Sequence, residues 1–231
     1  MQDFITQKLF AFGDKKYRRF QSALMPSVDP ENVIGVRTPF LRKFAESLKN
    51  ALRTEVFLNS LPHKYYEENN LHALLIMQDD DFDSCIAQTD RFLPFIDNWA
   101  TCDMLRPKCF KKHKKELLCK TDEWLSSEHA FTVRFGIEML MLHFLDESFT
   151  EEIPETVSRI RSSEYYVNTM QAWFFAETLA KQYESVIYFI EEKRLPAPVH
   201  NMTIRKAVES LRIPIERKEY LKQFRIKNMP K

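Results

Sequence analysis

The stretch that decides the fold is FTVRFGIEMLMLHF, residues 131–144. Phe131, Val133, Phe135, Ile137, Met139, Leu140, Met141, Leu142 and Phe144 follow one another too densely for a single apolar stripe. A helix that is apolar nearly all round must be surrounded by other elements, so this one reads as a core helix. Ser126-Ser127-Glu128 stands ahead of it as the expected cap. A second apolar helix, Tyr165 to Lys181, carries Val167, Met170, Trp173, Phe174 and Phe175. With 3 glycines and 44% hydrophobic residues in 231, the chain fits neither a disordered segment nor a β-rich fold built on tight turns. The elements that bury these two helices are therefore helices as well.

Working outward, Pro- and Asp-marked turns cut the rest of the chain into helical lengths. Residues 1–25 read as two short helices separated by Gly13-Asp14 and closed by Pro26. In Gly35-Val36-Arg37-Thr38-Pro39, Thr38 is placed to cap a helix and Pro39 to occupy its first turn, where a missing N–H costs nothing. Leu41, Phe44, Ala45 and Leu48 then recur at helical spacing. Further helices are expected over 54–61, 65–77, 82–96 with a break near Pro94, 108–125, 182–193, 200–211 and 215–226. No stretch reads convincingly as a strand. Helices joined this tightly pack as antiparallel hairpins, and hairpins in series make a solenoid. The expectation is an all-α superhelical solenoid of antiparallel helix pairs, forming a single domain over residues 1–231. The letters show no strict repeat, so this reading rests on helix spacing.

Several classes of protein are disfavoured. No apolar run approaches the roughly 18 residues of a membrane span, and residues 1–10 lack the apolar stretch of a signal peptide. A soluble, cytoplasmic protein without a membrane association is expected. Cys85, Cys102, Cys109 and Cys119 form no Cys-x-x-Cys pair and read as reduced, mostly buried thiols. Asp79-Asp80-Asp81 lacks the alternating acids, central glycine and terminal glutamate of a calcium loop, and reads as an acidic helix start. Neither a metal nor a cofactor is expected. The net charge of +1 hides an alternation: basic against acidic residues number 10 to 5 over 1–53, 2 to 9 over 54–98, 7 to 2 over 99–120, 4 to 14 over 121–192 and 11 to 3 over 193–231. Three basic blocks could form a track for a polyanion, or be ordinary solvated helix faces.

The chemistry-bearing stretch is Asp97-Asn98-Trp99-Ala100-Thr101-Cys102-Asp103. Asp97 or Asn98 can cap a helix on which Trp99 and Asp103, four apart, share a face. Arg134 is the lone cation of the apolar 131–144 helix, where it must meet a buried acid or a ligand's phosphate. No Gly-rich phosphate loop, Ser or Cys nucleophile motif or paired-His metal motif is present. Two tryptophan faces, Trp99 and Trp173, with the Asp103 carboxylate suit a transition state in which positive charge grows on a sugar ring, as in glycosidic bond cleavage. The alternative is that such a Trp-Asp pair is a chance spacing and both tryptophans belong to the core.

Taken in order, Gly35 to Pro39 with the basic helix after it, Asp97-Asn98-Trp99-Ala100 through Asp103, Val133-Arg134-Phe135, the Trp173 helix, and His200-Asn201-Met202-Thr203-Ile204-Arg205-Lys206-Ala207 resemble the AlkD-like family of DNA alkylation-repair glycosylases. That resemblance implies a superhelix of HEAT-like repeats and release of cationic N3- or N7-alkylated purines from duplex DNA, without flipping the lesion into a pocket. It implies Asp103 as the catalytic carboxylate, Trp99 and Trp173 as cleft tryptophans, and Arg134 as a phosphate contact. Arg37, Lys108, Lys111, Lys112, Lys115, Arg205 and Lys206 are the remaining candidates for DNA contact. An alkylated purine leaves as a neutral base, so one carboxylate suffices. No lysine neighbours these residues in sequence, so a Schiff-base step is not expected and the enzyme reads as a monofunctional glycosylase acting as a monomer. A non-catalytic helical module binding DNA structures is the alternative, and a protein-interaction scaffold a third.

Overall fold

The computed structural model describes residues 4–49 and 51–227. Among them it contains helices and no strand, so the fold is all-α. Packing divides the chain between His113 and Lys114 into two compact units.

The first unit holds α1 (Phe4–Ala11), α2 (Lys15–Leu24), α3 (Thr38–Leu48), α4 (Leu52–Asn59), α5 (Tyr66–Ile76), α6 (Phe82–Phe92) and α7 (Trp99–Met104). Its centre is α5, every residue of which is buried. α1, α3, α4, α6 and α7 all pack against α5, so successive helices are organised around one interior helix. Leu71, Leu74 and Leu75 meet Leu41, Phe44 and Leu48 of α3 and Ile5 and Leu9 of α1 in one apolar cluster.

A buried acid inside that helix sets the geometry of the chain crossing it. Glu67 accepts hydrogen bonds from the backbone N–H groups of Ile34 at 2.8 Å, Gly35 at 2.6 Å and Val36 at 3.1 Å. Burial raises its pKa, and these three donors oppose the rise. The segment thus held runs hard against α2. Gly35 has φ +94°, and a Cβ there would stand 2.5 Å from the Asp14 carbonyl oxygen. Glycine is the residue that tolerates both conditions.

The second unit holds α8 (Lys114–Leu125), α9 (Ala130–His143), α10 (Glu152–Ser158), α11 (Tyr165–Lys181), α12 (Tyr183–Val186), α13 (Tyr188–Glu191), α14 (Ala197–Glu209) and α15 (Ile215–Lys222). α8 packs on α9, α9 on α11, α11 on α14 and α14 on α15, the serial stacking of a solenoid. α9 is buried continuously from Phe131 to Met141, as its all-round apolarity requires. Gly136 lets α8 approach: a Cβ there would lie 3.2 Å from Trp124 Cβ and from Leu125 Cδ2.

Helix ends depart from expectation where side chains had to choose a partner. The cap of α9 is His129, whose ring accepts from the Thr132 N–H, and not Ser126-Ser127-Glu128. Thr38 is the first residue of α3 and does not cap it; Arg37 precedes it with no side-chain cap bond, and Pro39 sits in the first turn as expected. The expected helix over 108–125 is two elements, a 3₁₀ turn at Cys109–Lys112 and α8, parted at His113. The 182–193 helix is likewise divided into α12 and α13. Asp14, Asp81 and Asn98 cap their helices through their side chains, the last two as their positions suggest. Among the described residues no helix is long and apolar enough to cross a membrane.

Candidate active site

In the first unit, the six residues of α7 carry Trp99 at the start and Asp103 one turn later. A helix this short has little stability of its own, so its direction depends on tertiary anchors. Asn98 supplies them. It is fully buried, accepts from the Thr101 N–H at 2.8 Å and donates through Nδ2 to Thr101 Oγ1 at 3.0 Å. Thr101 Oγ1 donates in turn to Asn70 Oδ1 of α5 at 2.8 Å. The Trp99 indole N–H donates to the Leu24 carbonyl at the end of α2, 3.2 Å away, which fixes the ring's edge. Trp99 and Asp103 are both partly exposed, so an indole and a carboxylate reach solvent from one anchored turn.

Of the other candidates of this unit, Arg37 is less available for DNA than its charge suggests. Arg37 donates to Asp14 Oδ2 at 2.9 Å, and its guanidinium lies 4.7 Å from the Tyr17 ring centroid. Hydrogen bonds from the Tyr17 N–H and from Arg37 hold Asp14 below the usual carboxylate range. Lys108, Lys111 and Lys112 are exposed on and just before the 3₁₀ turn, where a three-residue period aligns Lys108 with Lys111.

In the second unit, Tyr165, Thr169 and Trp173 recur at every fourth position of α11, and the two aromatic residues are 62% and 39% exposed. Trp173 is therefore not core, although Phe174 and Phe175 beside it are wholly buried. Lys206 of α14 extends its Nζ to 4.9 Å from the Trp173 ring centroid, a cation–π distance. Burial holds this ammonium below the usual lysine pKa, with repulsion from Arg205 next; Glu209 and Tyr165 oppose the shift, and Arg134 adds a smaller push downward. Arg205 is exposed and has no ion-pair partner among the described residues. Arg134 is 2% exposed and donates through Nη1 to the Tyr166 carbonyl at 2.8 Å, tying α9 to the start of α11. Glu138, also buried, is one turn further along α9 and shares that face. Lys115 is exposed in the first turn of α8.

An open groove of about 680 Å³ adjoins this face, lined by Tyr165, Asn201, Met202, Arg205, Lys222 and Arg225 among others, with no acidic residue. Its far wall is strapped to α14: His200 Nε2 lies 2.9 Å from the Phe224 carbonyl oxygen, and Asn201 exchanges hydrogen bonds of 3.0 and 2.9 Å with Ile226. Much of the C-terminal positive charge is otherwise engaged. Arg212 pairs with Glu177, Arg217 with Glu184 and Lys222 with Glu219.

The family model described as DNA alkylation repair enzyme matches residues 5–211. The chain belongs to that family. The DNA alkylation repair enzyme match takes in α7 with Trp99 and Asp103, α9 with Arg134, α11 with Trp173 and α14 with Arg205 and Lys206, and it ends before α15. A search of curated proteins finds no match. For a member of the DNA alkylation repair enzyme family the role is repair of alkylation damage, and the partner that role implies is DNA.

Sequence order concealed the supports of the site. Glu67, Asn70 and the Lys206–Trp173 contact are long-range, and none stands beside a motif. An acid in the interior of an apolar helix was the available signal for Glu67 and Glu138, because a buried carboxylate must be compensated. For Tyr165, the signal was its spacing of eight from Trp173 on one helix face.

Proposed function

We propose that this protein is a DNA glycosylase that releases cationic N3- and N7-alkylated purines from duplex DNA, leaving an abasic site. The observation that carries the reading is the anchored pair on α7, with an indole edge bonded to Leu24 and a carboxylate one turn away. Membership of an alkylation-repair family supplies the substrate's chemistry. A purine alkylated at N3 or N7 is already positive and departs neutral, so no general acid is required. Asp103 orients a water toward C1′ and stabilises the oxocarbenium-like sugar. Trp99 and Trp173 offer faces on which positive charge and the deoxyribose are favoured over water. Base release in this scheme is hydrolytic, with no cofactor and no base flipping, and the protein acts as a monomeric cytoplasmic enzyme built as one HEAT-like repeat domain over 1–231.

Phosphate contacts fall to Lys108, Lys111, Lys112, Lys115, Arg205 and Lys206, with Arg134 adding charge beside Lys206 and Arg37 keeping its Asp14 partner. Backbone contacts of this kind make affinity salt-dependent and indifferent to sequence. One observation favours a second reading, a non-catalytic module that binds DNA structures: Arg37, Arg212, Arg217 and Lys222 are each paired with an acid, which leaves a modest free cation set. The two readings separate in one assay. On duplex DNA methylated at N3 of adenine and N7 of guanine, the enzyme releases 3-methyladenine and 7-methylguanine under single-turnover conditions; the module binds the duplex and releases neither.

A further inference from the structure

The groove beside α14 carries an aromatic ring and a set of cations in an arrangement that base release does not require. Tyr165, at the start of α11, is 62% exposed, yet its ring is braced edge-on by Tyr166, 5.4 Å away, whose own ring lies 5.4 Å from Phe131. From α14, Pro198, Asn201, Met202 and Arg205 recur at spacings of three and four residues and share one face of the helix. The remaining wall is the segment from Lys222 to Lys227, fixed to α14 through the bonds of Asn201 to Ile226 and of His200 to Phe224. That wall lies past residue 211, where the family match ends, so the family's role does not account for it. Arg205 and Arg225 have no ion-pair partner among the described residues, and no acid lines the groove to supply one.

We propose that this groove binds an unpaired nucleotide of single-stranded DNA, with its base stacked on Tyr165 and the adjoining phosphates held by Arg205 and Arg225. The backbone of a duplex needs only a cationic surface, and its bases, stacked on one another, do not reach a tyrosine ring in a side groove. Here a braced ring, the apolar side chains of Met202 and Ile226 and two free guanidinium groups stand together, matching the base, sugar and phosphate of a nucleotide released from pairing. An aromatic face accepts any base and a guanidinium any phosphate, so the site holds a strand without sequence preference. The groove is open, which lets the strand continue beyond the nucleotide that is held. A protein so equipped prefers duplex DNA with an unpaired tail to fully paired DNA. The inference goes beyond the glycosylase reading and needs no base release.

The test uses the full chain, a fluorescent blunt-ended duplex and the same duplex extended by a short run of unpaired thymidines on one strand. Anisotropy titrations at equal salt should show the tailed duplex bound about fivefold or more tightly, the gain expected from one stacked base. Tyr165→Ala should remove that gain and keep blunt-duplex affinity within about twofold of wild type, whereas Tyr165→Phe, which retains the ring, should keep the gain. Arg225→Gln should shrink the gain and lower the salt slope for tailed DNA by about 1. A measurement that needs no variant is photocrosslinking: a tail carrying iodouracil should crosslink to Tyr165. Free oligothymidine should displace the tailed duplex and thymidine monophosphate should not. Equal affinity for the two duplexes overturns the proposal, as do crosslinks confined to other residues. A gain that survives Tyr165→Ala and is lost in Arg225→Gln reduces the groove to a phosphate contact and overturns it as well. Displacement by the mononucleotide as effective as by the oligonucleotide overturns it in favour of a site for free nucleotides.

Discussion

Lowering the pH from 7 to 5 is expected to remove about 2 kcal/mol of folding stability through one side chain, His72. His72 lies in α5, wholly buried, stacked on Phe92 with ring centroids 4.1 Å apart and 2.8 Å from His63 Nε2 through its Nδ1. Desolvation first, then the charges of His63 and Arg91, push its pKa down to about 2. The unfolded chain protonates this ring near pH 6.5, so between those values the unfolded state binds the proton and the folded state does not. Stability from this group is therefore complete above about pH 6.5 and falls by about 1.4 kcal/mol per unit below it. His129 and His200, also lowered by burial, act in the same direction, whereas Glu67, raised by burial, acts in the opposite one. The wild-type slope alone thus mixes signs, and the informative quantity is its difference from His72→Phe, which keeps the stacked ring and removes the proton site. Urea unfolding at pH 7 and pH 5 should show wild type losing about 2 kcal/mol more than His72→Phe over that interval. Equal losses in the two proteins would refute the assignment of a buried neutral imidazole.

Gly35→Ala combines a positive φ with a Cβ 2.5 Å from the Asp14 carbonyl, and should cost about 3 kcal/mol, read as a lowered urea midpoint. Arg205→Ala should weaken duplex binding without sequence preference and reduce the slope of log affinity against log salt by about 1. Trp173→Ala should slow single-turnover base release by about tenfold or more while changing duplex affinity by less than about threefold, because its ring is 39% exposed and the proposed reaction gives it a role toward the sugar. An unfolded Trp173→Ala would assign the ring to the core.

The residues themselves show why some of this was legible in the chain. Periodicity and apolar density report on the element's own surroundings, so α9 and α11 were readable, and α11 was expected at the observed Tyr165–Lys181. Short polar residues at helix starts announced Asp81 and Asn98, since each satisfies an N–H group three residues away, whereas Asp14, read only as part of a separator, caps α2. Where two local solutions compete, the letters do not choose. His129 displaced the Ser126–Glu128 cap, and the lysine-rich 108–125 stretch broke at His113, whose ring stacks on Phe82 at 4.6 Å. The site was legible as a set of residue types and illegible as a set of partners. Arg37 looked free until Asp14, 23 residues earlier, neutralised it, and Lys206 looked remote until α14 packed on α11. Asn98, read as a cap, is also the buried bolt that orients Trp99.

The role proposed for Asp103 is to act on the sugar and its water while the base is already primed to leave. It is tested most directly by single-turnover release of 3-methyladenine and 7-methylguanine from methylated duplex, comparing wild type with Asp103→Asn at saturating protein. Asn keeps the shape and removes the charge that would stabilise the sugar cation. Wild type should release both bases, and Asp103→Asn should be slower by about 100-fold with duplex affinity retained. Release by Asp103→Asn at the wild-type rate, or none by a wild type that binds the duplex, would contradict the account.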